Sequence, residues 1–336
     1  MAIARPRVWD IHAHYLPASA LDLMGQGPVQ VHLETVDGTP DAITVNGMPV
    51  GATIHQLANV SGIVAATDRA GIDSRVLSPP PFTYRYWDDP ALTVRLDRII
   101  NEATAAVVAD YPDRFVGLAT VPLQDTEAAI AEAMRARDEL GLVGVTLGTN
   151  VAGGNVDDHD RRPFLAAVAE AGMPVLIHPD FVPNPRTADY YLINLIGLPV
   201  ESTVTMANMV FSGIFEEIPE LRVCFVHGGG AAPYLLGRWD HGWRVRPEAR
   251  LDRASPPSQG LANVFCDTLT HSPLALAFLV ELLGEANVVI GTDLPFDVED
   301  ADPRGHLRRA PRLTDRQIEV IETQSPLRWL TGEATP

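Results

Sequence analysis

Eight short apolar runs, each closed by polar or glycine-rich residues and followed by helical periodicity, recur down this 336-residue chain. They span residues 7–11, 74–77, 115–120, 143–147, 174–177, 222–226, 264–267 and 288–291. Strands covered on both faces read as continuously apolar, and their alternation with helices builds a parallel sheet. The intervening stretches 91–111, 126–140, 163–171 and 274–283 carry apolar residues three to four apart. Asp125 and Thr126 form a start signal for the second of these, and Gly141 and Gly172 follow helical ends. Periodicity alone admits a doubly wound sheet or a closed barrel, and eight units suit the barrel.

One segment breaks the rhythm. Residues 30–36 and 43–45 alternate in strand fashion around Asp37-Gly38-Thr39-Pro40-Asp41, which predicts a β-hairpin inserted after strand one within residues 25–58. Residues 244–260, rich in Arg and Pro, predict a surface loop or short helix. Hydrophobic residues at 46% and charged residues at 20% give a globular profile, and the chain is expected to form one barrel domain over residues 1–336.

The charge balance narrows the chemistry. With 25 basic and 43 acidic residues the net charge is −18, which disfavours nucleic acid and anionic membrane surfaces as partners. Every one of the basic residues is arginine. A chain without lysine has no P-loop clamp, no Schiff-base chemistry and no carbamylated lysine bridging two metals. Cys224 and Cys266 lie far apart in apolar runs, and the chain shows neither a leader-like apolar region nor an 18-residue apolar span. A reducing, cytoplasmic location is the expectation.

Four runs deliver chemistry-bearing side chains at their carboxyl ends. In Asp10-Ile11-His12-Ala13-His14 the strand period sends His12 and His14 to one face. Pro174-Val175-Leu176-Ile177-His178-Pro179 ends in histidine, Val223-Cys224-Phe225-Val226-His227 runs into three glycines, and Val288-Val289-Ile290-Gly291-Thr292 leads to Asp293. Taken singly, each histidine suits a core position bonded to a carbonyl, and Asp293 suits a helix cap. Together they lie where barrel enzymes collect catalytic groups. His12, His14, His178 and Asp293 can form a mixed nitrogen and oxygen shell for a divalent metal, with His227 free as acid or base. After the seventh strand, His271 or Asp267 is placed to orient substrate, whereas His32, His55, His159 and His306 are expected to be solvated.

Longer motifs carry a resemblance over nearly the whole chain. They are D-I-H-A-H, the insertion, V-P-L-Q-D at 121–125, L-I-H-P, F-S-G-I-F-E-E-I-P from Phe211, F-V-H-G-G-G, L-L-G-R-W-D-H-G-W and G-T-D-L-P-F. The sequence resembles the amidohydrolase superfamily, in the branch that contains 2-amino-3-carboxymuconate-6-semialdehyde and γ-resorcylate decarboxylases. The resemblance implies a distorted (β/α)8 TIM barrel of α/β class. It also implies one divalent metal, most often Zn2+ and alternatively Mn2+, on His12, His14, His178 and Asp293, with His227 and Asp293 in catalysis. A homodimer is implied too, with Arg238 reaching the neighbouring site to bind substrate carboxylate. Met48 stands where the branch carries a further substrate-binding arginine, a departure that replaces a guanidinium with an apolar wall.

Phe82, Phe181 and Phe296, with Tyr84, Tyr86 and Trp87, are placed to sandwich an aromatic or conjugated ring. The activity implied is non-oxidative decarboxylation of a hydroxybenzoate-like or muconate-type small carboxylic acid. Its rivals are hydrolysis of an amide or lactone on the same barrel and a non-catalytic ligand-binding role.

Overall fold

The computed structural model describes residues 7–26, 30–36, 39–45, 47–182, 184–251 and 255–333. Asp37 and Gly38 of the expected hairpin turn, Asn46 beside Met48, and residues 1–6 at the start of the chain lie outside the described residues.

All eight predicted strands form: β1 Trp9–His14, β2 Ser74–Ser78, β3 Phe115–Ala119, β4 Gly144–Leu147, β5 Val175–Ile177, β6 Val223–Phe225, β7 Val264–Asp267 and β8 Val288–Val289. They pair in parallel and in sequence order. The two edges then meet: the Ile11 N–H donates to the Ile290 carbonyl at 2.8 Å and the His14 N–H to the Leu294 carbonyl at 2.7 Å. The sheet is therefore a nearly closed barrel.

One principal helix follows each strand: α1 Val60–Arg69, α2 Pro90–Asp110, α3 Thr126–Asp138, α4 Arg162–Glu170, α5 Leu198–Phe211, α6 Ala232–Val245, α7 Pro273–Leu283 and α8 Pro303–Arg309. The predicted cap at α3 is made, with the Asp125 carboxylate accepting the Ala128 N–H at 3.1 Å. Inside the barrel Trp9, Ile11, Val76, Leu118, Leu176, Cys224, Phe265 and Val289 pack around Trp329. Trp329 comes from the last helix, Ser325–Thr331, whose backbone is tied to Arg222 at the start of β6. The amino end of the barrel is thus plugged with apolar side chains, which leaves the carboxyl ends for polar ones.

The insertion contains the expected hairpin, Val31–Val36 against Thr39–Val45, and a third antiparallel strand, Met48–Thr53. Pro49 and Gly51 hid that strand, since both residues weaken a strand signal. Val31, Ile43 and Val45 pack on Leu16, Leu57, Phe82 and Leu96, so the insertion clamps onto the barrel through its own small core. His306 departs from expectation: it lies buried on α8, bonded through Nδ1 to Asp300 at 2.8 Å. Among the described residues no helix is long and apolar enough to cross a membrane.

Candidate metal centre

The site begins with an irregularity in β1. Its register against β2 shifts between Asp10 and Ala13, a bulge of the kind that re-aims side chains beside active sites. Within it the Asp10 carboxylate accepts the His12 backbone N–H at 3.1 Å and the Thr292 backbone N–H at 3.2 Å. The Thr292 hydroxyl adds a bond to Asp10 at 2.7 Å, and Arg75 pairs with Asp10 while donating to the same hydroxyl. This buried knot ties the strand end carrying His12 and His14 to the one carrying Asp293.

His12, His14, His178 and Asp293 are all buried, and their candidate ligand atoms lie within 4.8 Å of one another. The Asp293 Oδ1 sits 2.9 Å from His14 Nε2, 3.2 Å from His12 Nε2 and 3.9 Å from His178 Nε2. The outer ring nitrogens are engaged elsewhere. Nδ1 of His14 donates to the Pro79 carbonyl at 3.3 Å, Nδ1 of His178 to the Pro179 carbonyl at 2.9 Å, and Nδ1 of His12 to Asp267 at 2.8 Å. A carbonyl only accepts, so the ring protons of His14 and His178 are outside and their Nε2 lone pairs face Asp293. His178 Nε2 is buried without a hydrogen-bond partner. Acceptors converging on an acceptor are stable only around positive charge, and a divalent cation fits that requirement.

The electrostatics agree. Burial pushes the Asp293 carboxyl up, but the surrounding imidazoles, the His12 charge foremost, hold it well below the usual carboxylate range. Burial presses His12 down, yet the Asp293 and Asp267 carboxylates lift it to about 10. His178 falls to about 3, mainly through burial, and burial also lowers His14. The protein alone answers its two carboxylates with a proton on His12, the role a bound cation would take over.

His227 stands beside this cluster, with Nε2 3.5 Å from Asp293 Oδ2 and its ring 5.1 Å from that of His178. It occupies a left-handed backbone position at φ 55°, as do Asp293 at 62° and His271 at 52°. Such conformations cost about 1–3 kcal/mol each and gather at functional sites. The glycines after His227 let the turn form: a Cβ on Gly230 would lie 2.1 Å from the Pro199 carbonyl oxygen.

Asp267 emerges as a second-tier organiser. Its Oδ2 holds His12, while Oδ1 accepts the N–H of Gly228 at 2.8 Å and of Leu269 at 3.1 Å. It acts through His12 and the turn after His227. Its position at the carboxyl end of the seventh run was the available signal.

Other candidates divide. Phe296 sets its ring edge-on to His14 at 5.1 Å. Phe181 is half-buried, three residues beyond His178. Phe82 belongs to the insertion's core, and Tyr84 and Tyr86 are buried and stacked at 5.9 Å, with the Tyr84 hydroxyl on Thr146. Trp87 is exposed. Met48 is half-buried and pairs with Val45 across the insertion. His271 shares a cavity wall with His227. Arg238 is exposed on α6 and has no ion pair among the described residues.

Comparison with known proteins adds to this geometry. A family model described as amidohydrolase matches residues 9–326. A 2-amino-3-carboxymuconate-6-semialdehyde decarboxylase from Dictyostelium discoideum is 38% identical over 238 residues, covering 70% of this chain and 66% of that protein. The crystal structure of 5-carboxyvanillate decarboxylase from Sphingomonas paucimobilis superposes with a TM-score of 0.81 at 24% identity, covering 97% of this chain and 99% of that one. A 5-carboxyvanillate decarboxylase from Novosphingobium aromaticivorans, complexed with manganese and 4-hydroxy-3-methoxy-5-nitrobenzoic acid, gives a TM-score of 0.81 at 20% identity, covering 97% and 96%.

Proposed function

The chain belongs to the amidohydrolase family, and from that premise we propose that it is a metal-dependent, non-oxidative carboxy-lyase acting on a hydroxybenzoate-like or muconate-type acid. One observation carries the reading: Asp293 divides its oxygens, Oδ1 toward three imidazole Nε2 atoms and Oδ2 toward His227. Cation site and proton-handling group therefore share one carboxylate.

His12, His14, His178 and Asp293 would hold the metal. When bound, it supplies a Lewis acid that polarises a substrate oxygen and draws off the electrons of the breaking C–C bond. The remaining work falls to the chain. Phe296 walls the centre beside His14 and favours a flat substrate. His227 Nε2 moves a proton at the carbon that loses its carboxylate, and Asp293 Oδ2 steadies the imidazolium. Burial of all four ligands keeps bulk water from competing for the site.

Three imidazoles and one carboxylate suit zinc, and the manganese in a structural neighbour makes that ion the alternative. Arg238, exposed and unpaired among the described residues, supports a homodimer in which it serves the neighbouring site. Two buried free cysteines support a reducing, cytoplasmic setting.

Metal analysis of protein purified without added metal, paired with a screen of hydroxybenzoate and muconate-type acids for carbon dioxide release, tests the reading. About one metal per chain and release that His178→Ala abolishes are expected. Metal without release from any acid would shift the weight to hydrolysis, and absence of metal would shift it to ligand binding.

A further inference from the structure

A half-open cavity of about 590 Å³ runs from His227 along the barrel mouth between α5, α6 and α7. A cavity of roughly 150 Å³ already holds a benzene ring, so a bare hydroxybenzoate would leave most of this space empty. Its depth is formed by Leu198, Leu269 and Leu279, all buried, and its rim by Leu195, Leu274 and Phe278, all exposed. Among the described residues no arginine, aspartate or glutamate lines it, and the polar side chains there are Asn194, Thr270, Tyr234 and the two histidines 227 and 271. A second carboxylate lodged among these leucines would lose its hydration, and no described lining residue of this chain offers it a guanidinium.

We propose that the substrate is a hydroxy-aromatic acid with a single carboxylate and an apolar substituent of several carbons, which occupies this cavity while the carboxylate lies at the metal centre. The proposal rests on the decarboxylase reading above and chooses between its two substrate classes. His227 joins the two regions, since one imidazole both lines the cavity and stands 3.5 Å from Asp293.

The test uses the full-length, metal-loaded protein and a series of 2-hydroxybenzoates bearing hydrogen, methyl, propyl or pentyl on the ring, beside a muconate-type dicarboxylate of similar size. We expect kcat/KM for carbon dioxide release to rise about fourfold per added methylene through the first three, chiefly in KM. The dicarboxylate should fall at least tenfold below the propyl acid. Leu274→Arg, at an exposed rim position, should erase the alkyl gain and improve the dicarboxylate. A flat or falling series, or preference for the dicarboxylate, overturns the proposal. So does loss of a dimer in Leu274→Arg without any change in the alkyl series, which would make the cavity a seat for a second copy.

Binding of the matching alkylphenols, the decarboxylated products, is measured separately by calorimetry. If no acid releases carbon dioxide, the decarboxylase reading fails, while affinity that still climbs with chain length upholds the apolar subsite and affinity that does not rejects it.

Discussion

At the mouth of the barrel Asp267 and Asp293 are buried among imidazoles and backbone N–H groups, whereas behind β3 Asp97 is buried on α2 among groups that offer it almost nothing. All three carboxyls have left water, and burial alone would push each toward the neutral acid. For Asp267 and Asp293 the histidines reverse that push, and both are held below the ordinary range. For Asp97 burial prevails, the Thr120 hydroxyl offsets it only partly, and the Glu132 carboxylate adds to it. Donors therefore decide what a buried acid does. Where they converge it stays ionised and can bind a cation, and where they are missing burial pushes it toward the neutral acid.

The largest expected effect comes from removing the charge on the ionised side. Asp293→Asn should lower kcat/KM for carbon dioxide release by at least roughly 10³-fold, because the cation and His227 lose their common anion. Steady-state kinetics with metal content measured on the same sample checks this. Near-normal turnover with full metal would break the contrast at its stronger end.

Asp267→Asn should weaken metal affinity by about 10- to 100-fold, the usual cost of losing the group that orients a histidine ligand. Competition against a chelator of known affinity reads the change, and kcat at saturating metal should largely recover. A smaller effect follows from Thr292→Val, which removes a hydroxyl bonded to both Asp10 and Arg75. Leaving that buried pair short of a partner should cost about 1–3 kcal/mol, read as a lower denaturant midpoint with an unchanged slope.

What the sequence discloses divides along the same line. Each metal-centre candidate closes an apolar run, so His12, His14, His178, His227 and Asp293 could be placed together once eight βα units were counted. The partners that make them work are tertiary. Asp267 meets His12 across 255 residues of chain, and Thr292 meets Asp10 across 282. No spacing rule reports such pairs. Alternation in β1 correctly put His12 and His14 on one face but could not foresee the bulge between Asp10 and Ala13. Phe82 looked like a ring at the mouth because it follows a strand end, yet the insertion supplied enough apolar surface to claim it for a second core. His306 was hidden likewise, since the acid that holds it, Asp300, lies before the helix and reads as loop polarity.

Asp97 supplies the gentlest test of the contrast and the one with a sign that burial alone dictates. Its folded-state pKa is raised above the unfolded value near 3.8, so above that pH the folded chain binds more protons there than the unfolded chain. Its contribution to stability is full below the unfolded pKa and declines as pH rises toward the folded one, with a slope of up to about 1.4 kcal/mol per pH unit. Asp97→Asn keeps the shape and removes the titration. The variant should match the natural chain near pH 4 and overtake it progressively toward pH 8 in thermal melts. Parallel melting curves across that range would mean that Asp97 is ionised in the fold after all, and that a carboxylate can be held there without the donors that Asp293 requires.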